Sequence, residues 1–582
     1  MNLFKNPVSY FYFFCLFSFA SEDISIQTSS GIVDGVVIKK VITWHDIPYA
    51  KPPVGDLRWH APRDIIQPNF KILDQEDNFC VQRPSNLGGA DGDGDFTGTE
   101  DCLYLDIRAP HNKSDKKLPV MFWIHGGGNT SGLKDIYDFS GLVQKQNVIV
   151  VSINYRLGPF GWFSHPAIQD HNSGIDKTSN FGTLDIIKAL EWVNLNIEKF
   201  GGDKDNITIF GESAGGHNVF SLLVAPQAKG LFHKAISQSG YTTSNTYKTG
   251  YLGDSSSVEY ISTSKIVGKL MASKDSKIIR SKLFNTNAYD IYKQYDGEDV
   301  LSEIPLLTND GIVIPKIGLA EALKNPVNKD IPVIAGSNRD EVKLWIGTAL
   351  YFVQPEYSFF GSIIGVPRIK IVNEDAFEAF NYYRSSAWQL RGVKEPLDNL
   401  AGYGYKNLYA YRYDWDDHRR WPVANFKKII GAAHATEIPL IAGNNKLVGD
   451  YGFLIYPRGF SKSYTSKNMM NFWANFAKYG APGESTNGIV WNKYNKSSNE
   501  FIILDKKKNL QLKDGIKSFD ELLSELSMDD RVNAEEKCVI LYQMGSLIGN
   551  DIYEYLESKF NNKCSKESSK DFLRKNASYV SY

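Results

Sequence analysis

Apolar positions along this chain follow two spacings, and their alternation predicts a β-then-α order. Val120 to Ile124 and Val148 to Ile153 are near-continuous apolar runs, as expected of strands covered on both faces. Asn206 to Phe210 is a shorter β-branched run, and Lys234 to Ser237, Ile331 to Ala335 and Leu408 to Tyr413 extend the series. Thr183 to Phe200 instead repeats apolar residues at helical spacing, through Ile186, Ala189, Leu190, Val193 and Ile197. Gly216 to Val224 continues as a helix close behind the 206–210 strand, and Lys467 to Tyr479 reads as another. Strands alternating with helices imply the α/β class, a large and mostly parallel sheet with helices on both faces. Ahead of these units, Gly31 to Ile38 reads as a hairpin, and the prolines in Ile47 to Arg58 forbid a regular ladder or helix. Residues 250–330 and 345–400 read as helical insertions over the sheet. The Lys/Glu-rich segment 505–582 reads as a C-terminal helical extension docked on the same domain.

Composition narrows the class. With 42% hydrophobic and 23% charged residues among 582, the chain can bury a large core. A net charge of −1 gives no basic surplus, so nucleic acid is not an expected partner. Lys5 is followed by the apolar stretch Val8 to Ala20, which ends in Ser18-Phe19-Ala20. That is a signal peptide over 1–20, because the run is shorter than the roughly 20 residues a spanning helix needs. No second stretch of that length follows, so the mature chain, 21–582, is expected to lack a membrane span and to be exported, either secreted or periplasmic.

Cys15 leaves with the signal, and Cys80, Cys102, Cys538 and Cys564 remain. An even count in an exported chain suggests two disulfides. Nearest-neighbour pairing closes two short loops, and spacing alone leaves the other two connectivities open. No cysteine or histidine spacing fits a zinc site, so neither metal nor cofactor is expected. The alternation Asp91-x-Asp93-x-Asp95 lacks the rest of a calcium loop and reads as a solvated turn. Glycosylation triplets start at Asn112, Asn129, Asn206, Asn495 and Asn576, with Asn129 poorly placed for a glycan beside a glycine run.

The chemistry centres on Gly211-Glu212-Ser213-Ala214-Gly215, set between a strand and a helix. In such a G-x-S-x-G turn the flanking positions have no room for side chains, and the serine hydroxyl stands clear of the backbone. The pentapeptide alone is a weak signal. A serine nucleophile also needs a base, a group to orient that base, and donors for an oxyanion. His125-Gly126-Gly127-Gly128 follows the 120–124 strand, where bare backbone N–H groups can approach a developing oxyanion, and Ala214 supplies another. His434 lies in a small-residue loop beyond the 408–413 strand, and Asp340 and Glu341 both follow the 331–335 strand. From chemistry alone either acid qualifies. The order serine, acid, histidine, each past a strand end, is that of an α/β-hydrolase.

Further motifs support a resemblance. Ile47 to Arg58 (IPYA-x-PPVG-x-LR), Glu100 to Leu105 (EDCLYL), Asn154 to Gly158 (NYRLG), Phe200 to Asp203 before the GESAGG turn, and Gln238-Ser239-Gly240 occur in order. Over roughly residues 25 to 500 the chain resembles the type-B carboxylesterases, the cholinesterase-like family of α/β-hydrolases. The resemblance implies an α/β-hydrolase fold with insertions forming a gorge, and cofactor-free hydrolysis of small-molecule or lipid esters. It implies Ser213 as nucleophile, His434 as base, Glu341 rather than Asp340 as acid, and Gly127, Gly128 and Ala214 as oxyanion donors. It places Glu212 and Ser239 beside them, with Ser239 buttressing the Glu341–His434 pair, and it supports a Cys80–Cys102 bridge. A Cys538–Cys564 bridge is not a family hallmark and rests on the count and spacing alone. The pattern is broken at Val342, where glycine is usual, and at Asn129, where an aromatic residue is common. No Trp lies between Cys80 and Cys102, where choline-binding members place their cation-binding indole. A lipase acting on aggregated esters and a non-catalytic adhesion protein are the rival readings.

Overall fold

Strands β1 (Ile24–Gln27), β2 (Ile32–Ile38), β3 (Val41–Pro48), β4 (Tyr104–Pro110), β5 (Leu118–Ile124) and β6 (Ile149–Ile153) form one half of a sheet. Strands β7 (Gly202–Glu212), β8 (Lys234–Gln238), β9 (Val333–Asn338), β10 (Leu408–Tyr413), β11 (Phe501–Leu504) and β12 (Gln511–Lys513) form the other. The order across the sheet is β1-β2-β3-β4-β6-β5-β7-β8-β9-β10-β11-β12. From β6 to β11 every pairing is parallel, whereas β1 to β4 and β12 add antiparallel edges. This computed structural model describes residues 24–75, 78–85, 88–112, 116–253, 259–299, 301–356, 368–449, 452–546, 548–561 and 563–576. The expected signal peptide lies outside the described residues.

The apolar runs are explained by double coverage. Successive side chains of a strand point to opposite faces. On β5, Val120, Phe122 and Ile124 join one core with α2 (Phe181–Asn196) and α3 (Ala214–Val224), packing with Ile186, Leu190 and Val219. Met121 and Trp123 join the opposite core with α1 (Ser140–Gln146) and α6 (Phe460–Tyr479), through Leu142, Phe472 and Trp473. A one-residue slip would exchange the two sets, so the cores fix the register.

The family motifs act as braces. Arg58 pairs with Glu100 and donates to the carbonyls of Leu283 and Thr286, both at 2.7 Å. Arg156 holds Asp185 of α2 through two 2.7 Å bonds, wholly out of water.

Four elements differ from the sequence reading. Residues 31–38 are one strand, not a hairpin: the chain reverses at Lys39 and Lys40, both with positive φ (50° and 70°), and returns as β3. Helix α6 starts at Phe460, seven residues earlier than expected. The 345–400 insertion opens with a hairpin, Val353–Glu356 with Arg368–Ile371, before α4 (Glu374–Gln389) and α5 (Glu395–Tyr403). Within 505–582, β12 still belongs to the sheet. Helices follow as α7 (Phe519–Met528), α8 (Ala534–Ser546), α9 (Tyr553–Lys559) and α10 (Lys566–Lys575).

Candidate active site

Ser213 sits where β7 hands over to α3, with φ 58° and ψ −120°, a strained conformation for a residue with a side chain. A Cβ at Gly215 would lie 2.0 Å from the Ile124 carbonyl oxygen, and one at Gly211 2.6 Å from it. The sharp turn therefore requires glycine at both positions. Ser213 N–H donates to Gln238 O at 2.9 Å, which fixes the turn against β8.

The glycine loop begins where β5 ends. Gly127 has φ 96°, and a Cβ there would lie 2.3 Å from Ser131 O. Among the described residues, the N–H groups of Gly127, Gly128 and Ala214 donate to no protein acceptor. Asn129, buried and at φ 58°, ties this loop down. Its Oδ1 accepts from Asn218 Nδ2 at 2.8 Å and from Tyr155 OH at 3.2 Å. Tyr155 OH also donates to His125 O at 2.8 Å. A glycan at Asn129 is thus sterically barred.

His434 Nδ1 donates to Glu341 Oε2 at 2.6 Å, and both side chains are buried. Glu341 Oε1 accepts the Asn338 N–H at 2.6 Å. His434 N–H donates to Glu341 O at 3.1 Å, so backbone and side chain both join the two loops. At the ring's other nitrogen, Nε2 lies 3.1 Å from Glu212 Oε1 but forms no hydrogen bond with it or with any other described residue. Burial opposes a charge on His434, yet the carboxylates of Glu212 and Glu341 raise its pKa above the usual imidazole range. Burial likewise lifts the Glu212 carboxyl well above the normal carboxylate range, against the pull of His434.

The two candidate acids have separate tasks. Asp340 turns away from the imidazole to Arg339 (2.6 Å) and Asn381 (2.7 Å), and accepts Ala432 N–H at 2.9 Å. Although burial pushes its pKa up, Lys343 and Arg339 hold that carboxyl down at about 2. Asp340 anchors the histidine loop, while Glu341 meets the histidine. Gly431 allows this approach: a Cβ there would lie 2.5 Å from Asp340 Oδ2.

Ser239 is placed differently from the expectation. Its N–H donates to Gly336 O at 2.7 Å, but its hydroxyl has no partner among the described residues. It therefore does not buttress Glu341, and Asn338 N–H does. Sequence reasoning also missed Glu437, whose carboxylate accepts from Asn338 Nδ2 (2.7 Å) and Gln238 Nε2 (3.1 Å) behind the histidine. Its place three residues after His434 was the available signal. Trp345 and Trp388 were missed as well, with ring centroids 5.1 and 4.9 Å from the His434 ring. Both lie in or beside an insertion whose packing no local spacing reveals.

Disulfides join Cys80 to Cys102 and Cys538 to Cys564. Among the described residues, the His and acidic groups close enough to share an ion are His45, Asp106 and Asp135. Lys134 Nζ fills that position, 2.7 Å from Asp135 and 3.1 Å from Asp106. No described helix is long and apolar enough to cross a membrane.

Comparison with known proteins finds a family and solved relatives. The family model described as "Carboxylesterase family" matches residues 22–362 and 378–521. Para-nitrobenzyl esterase of Bacillus subtilis (strain 168) is 32% identical over 500 residues, covering 82% of this chain and 94% of that protein. Carboxylesterase 1E of Rattus norvegicus is 31% identical over 465 residues, covering 75% and 81%. Among solved structures, a thermophilic PNB esterase superposes with a TM-score of 0.64 at 29% identity, covering 84% of this chain and 97% of that one. A Geobacillus stearothermophilus carboxylesterase gives 0.64 at 27% identity, covering 86% and 99%.

Proposed function

The chain belongs to the carboxylesterase family and hydrolyses carboxylic esters, and we propose that it does so through Ser213, with His434 as base and Glu341 as its orienting acid. Ser213 Oγ attacks the ester carbonyl carbon as its proton passes to His434 Nε2. The carbonyl oxygen becomes an oxyanion facing the N–H groups of Gly127, Gly128 and Ala214. Removing one such donor costs about 10²–10³ in kcat. Collapse of this intermediate breaks the ester C–O bond, and His434 returns the proton to the departing alcohol. Water then attacks the acyl-enzyme, its proton going to His434, and the carboxylic acid leaves as Ser213 is reprotonated. Glu341 keeps the ring proton on Nδ1 and steadies the imidazolium.

The observation that carries this reading is the 2.6 Å Nδ1–Glu341 bond, with Nε2 left free of any described hydrogen bond. Likeness to a para-nitrobenzyl esterase supports benzyl-type esters as a substrate class. With no indole between Cys80 and Cys102, a quaternary ammonium loses a contact worth about 2 kcal/mol when desolvated, so choline esters are disfavoured. Removal of residues 1–20 and export of a single catalytic domain fit the two disulfides. Ser213→Ala should abolish hydrolysis of short-chain aryl esters and labelling by a fluorophosphonate, with an unchanged circular dichroism spectrum. Retained turnover in that variant would rule out the assignment.

A further inference from the structure

The family match ends at residue 521, yet the chain continues through three further helices. Helix α4 ends at Gln389 and passes into one wide, π-type turn, Leu390–Lys394, before α5. Wide turns of this kind within helices are frequent at functional sites. Here consecutive residues face opposite ways. Trp388 lies against the His434 ring and donates through Nε1 to the carbonyls of Ser239 and Gly240, both at 3.2 Å. Gly392 packs so closely on the same strand end that a Cβ would lie 2.3 Å from Gly240 O.

Arg391, between them and 1% exposed, points the other way. Its guanidinium donates to Met544 O (3.1 Å), Gly545 O (3.3 Å) and Asn550 O. The first two are carbonyls in the last turn of α8, where a cation meets the negative end of the helix dipole. The loop after α8 adds a second tie: Gly549 N–H donates to Thr243 Oγ1 at 2.9 Å. Thr243 O in turn accepts from Nε2 of His217, one turn along α3 from Ser213, at 2.8 Å.

The same segment packs behind the acid. Val342, next to Glu341, and Ile346, farther along the same segment, share one apolar core with Leu522, Val539, Leu556 and Leu573, and Trp345 packs against it. Tyr351 OH donates to Glu536 Oε1 at 2.8 Å. The Cys538–Cys564 bridge ties α8 to the start of α10, which holds this block together.

We propose that residues 529–576 form a brace for the catalytic histidine, with Arg391 as the positioning residue that transmits it to Trp388. The inference rests on His434 being the base. Removing Arg391's donors frees the wide turn to shift, and Trp388 then no longer fixes the imidazole against Ser213. The ester-binding surface itself is left in place.

The test is turnover per active site in Arg391→Met, Arg391→Lys and the double variant Cys538→Ser/Cys564→Ser, with sites titrated by a fluorophosphonate. Loss of folded protein lowers the number of titratable sites, whereas loss of positioning lowers turnover at each one. Arg391→Met should titrate and turn over aryl esters about tenfold more slowly per site, with KM within twofold. Arg391→Lys, which keeps the charge and one donor group, should recover part of that loss. Unchanged turnover per site in Arg391→Met overturns the proposal. If Arg391→Met yields no titratable enzyme, the cysteine pair and Thr243→Val decide: reduced turnover per site supports the brace, and wild-type turnover in both overturns it. A His434→Gln control separates the two readings, because activity surviving there removes the base assignment itself.

Discussion

Each nitrogen of the His434 ring faces a carboxylate, Glu341 at Nδ1 and Glu212 at Nε2. The first is a hydrogen bond that sets the tautomer, and the second acts through charge. An opposite charge at this distance moves a pKa by about 1–3 units. Glu212→Gln removes that charge while keeping the shape. His434 then loses its proton at lower pH, so the acid limb of kcat/KM should move down by on the order of one pH unit. A limb that stays in place would show that Glu212 carries no charge in the free enzyme. The serine, the histidine and the glycines could be put forward residue by residue, because a turn without side chains and a proton relay each restrict residue type. Residue chemistry alone left Asp340 and Glu341 both open, and it was the family resemblance that pointed to Glu341. Both are acids one position apart, and only the path of the chain after Asn338 turns one toward Ala432 and the other toward His434.

Among the elements, the strands that end at the site were readable because burial on both faces demands unbroken apolar runs. Ser213, the glycine loop and Glu341 follow directly on the ends of such strands, the place where α/β sheets bind ligands, while His434 arrives on a longer loop after β10. The loop after β5 is the most exacting of these ends. Gly127→Ala would drive a Cβ against Ser131 O and misdirect the neighbouring N–H groups. We expect kcat to fall by about 10² with a smaller change in KM, since those donors serve the transition state more than the ground state. Equal losses in substrate binding and turnover would argue against an oxyanion role for this loop. The insertions were legible only as helical. The hairpin within 345–400 and the wide turn at 390–394 follow from what packs beneath them, and local spacing carries no record of that.

For the whole molecule, acid stability follows from buried histidines. Burial lowers His125, His165, His217 and His418 to about 4, against 6.5 for a free imidazole. Between those values the unfolded chain binds protons that the folded chain refuses, so stability falls as pH drops from about 6.5 to about 4. His434, with its raised pKa, works in the opposite sense above 6.5, and the Glu303 carboxyl, raised by desolvation to about 6, offsets part of the loss within the window. Thermal melts should show Tm falling across that window. His165→Asn, which can still accept the Ala167 N–H at the helix start, should flatten the slope, and an unchanged slope would refute the account. The sequence by itself determined the α/β class and put Ser213, Glu341 and His434 forward in that order, because strand burial, tight turns and proton transfer restrict local residue choice. Tertiary structure decided that Asp340 turns to Arg339 and Ala432, and that the Ser239 hydroxyl leaves Glu341 to Asn338. It also decided that two stacked indoles lie against the ring and that Trp345 packs on the core shared with the C-terminal helices. Those outcomes depend on groups tens to hundreds of residues apart being brought within a few ångströms, and no local pattern encodes that.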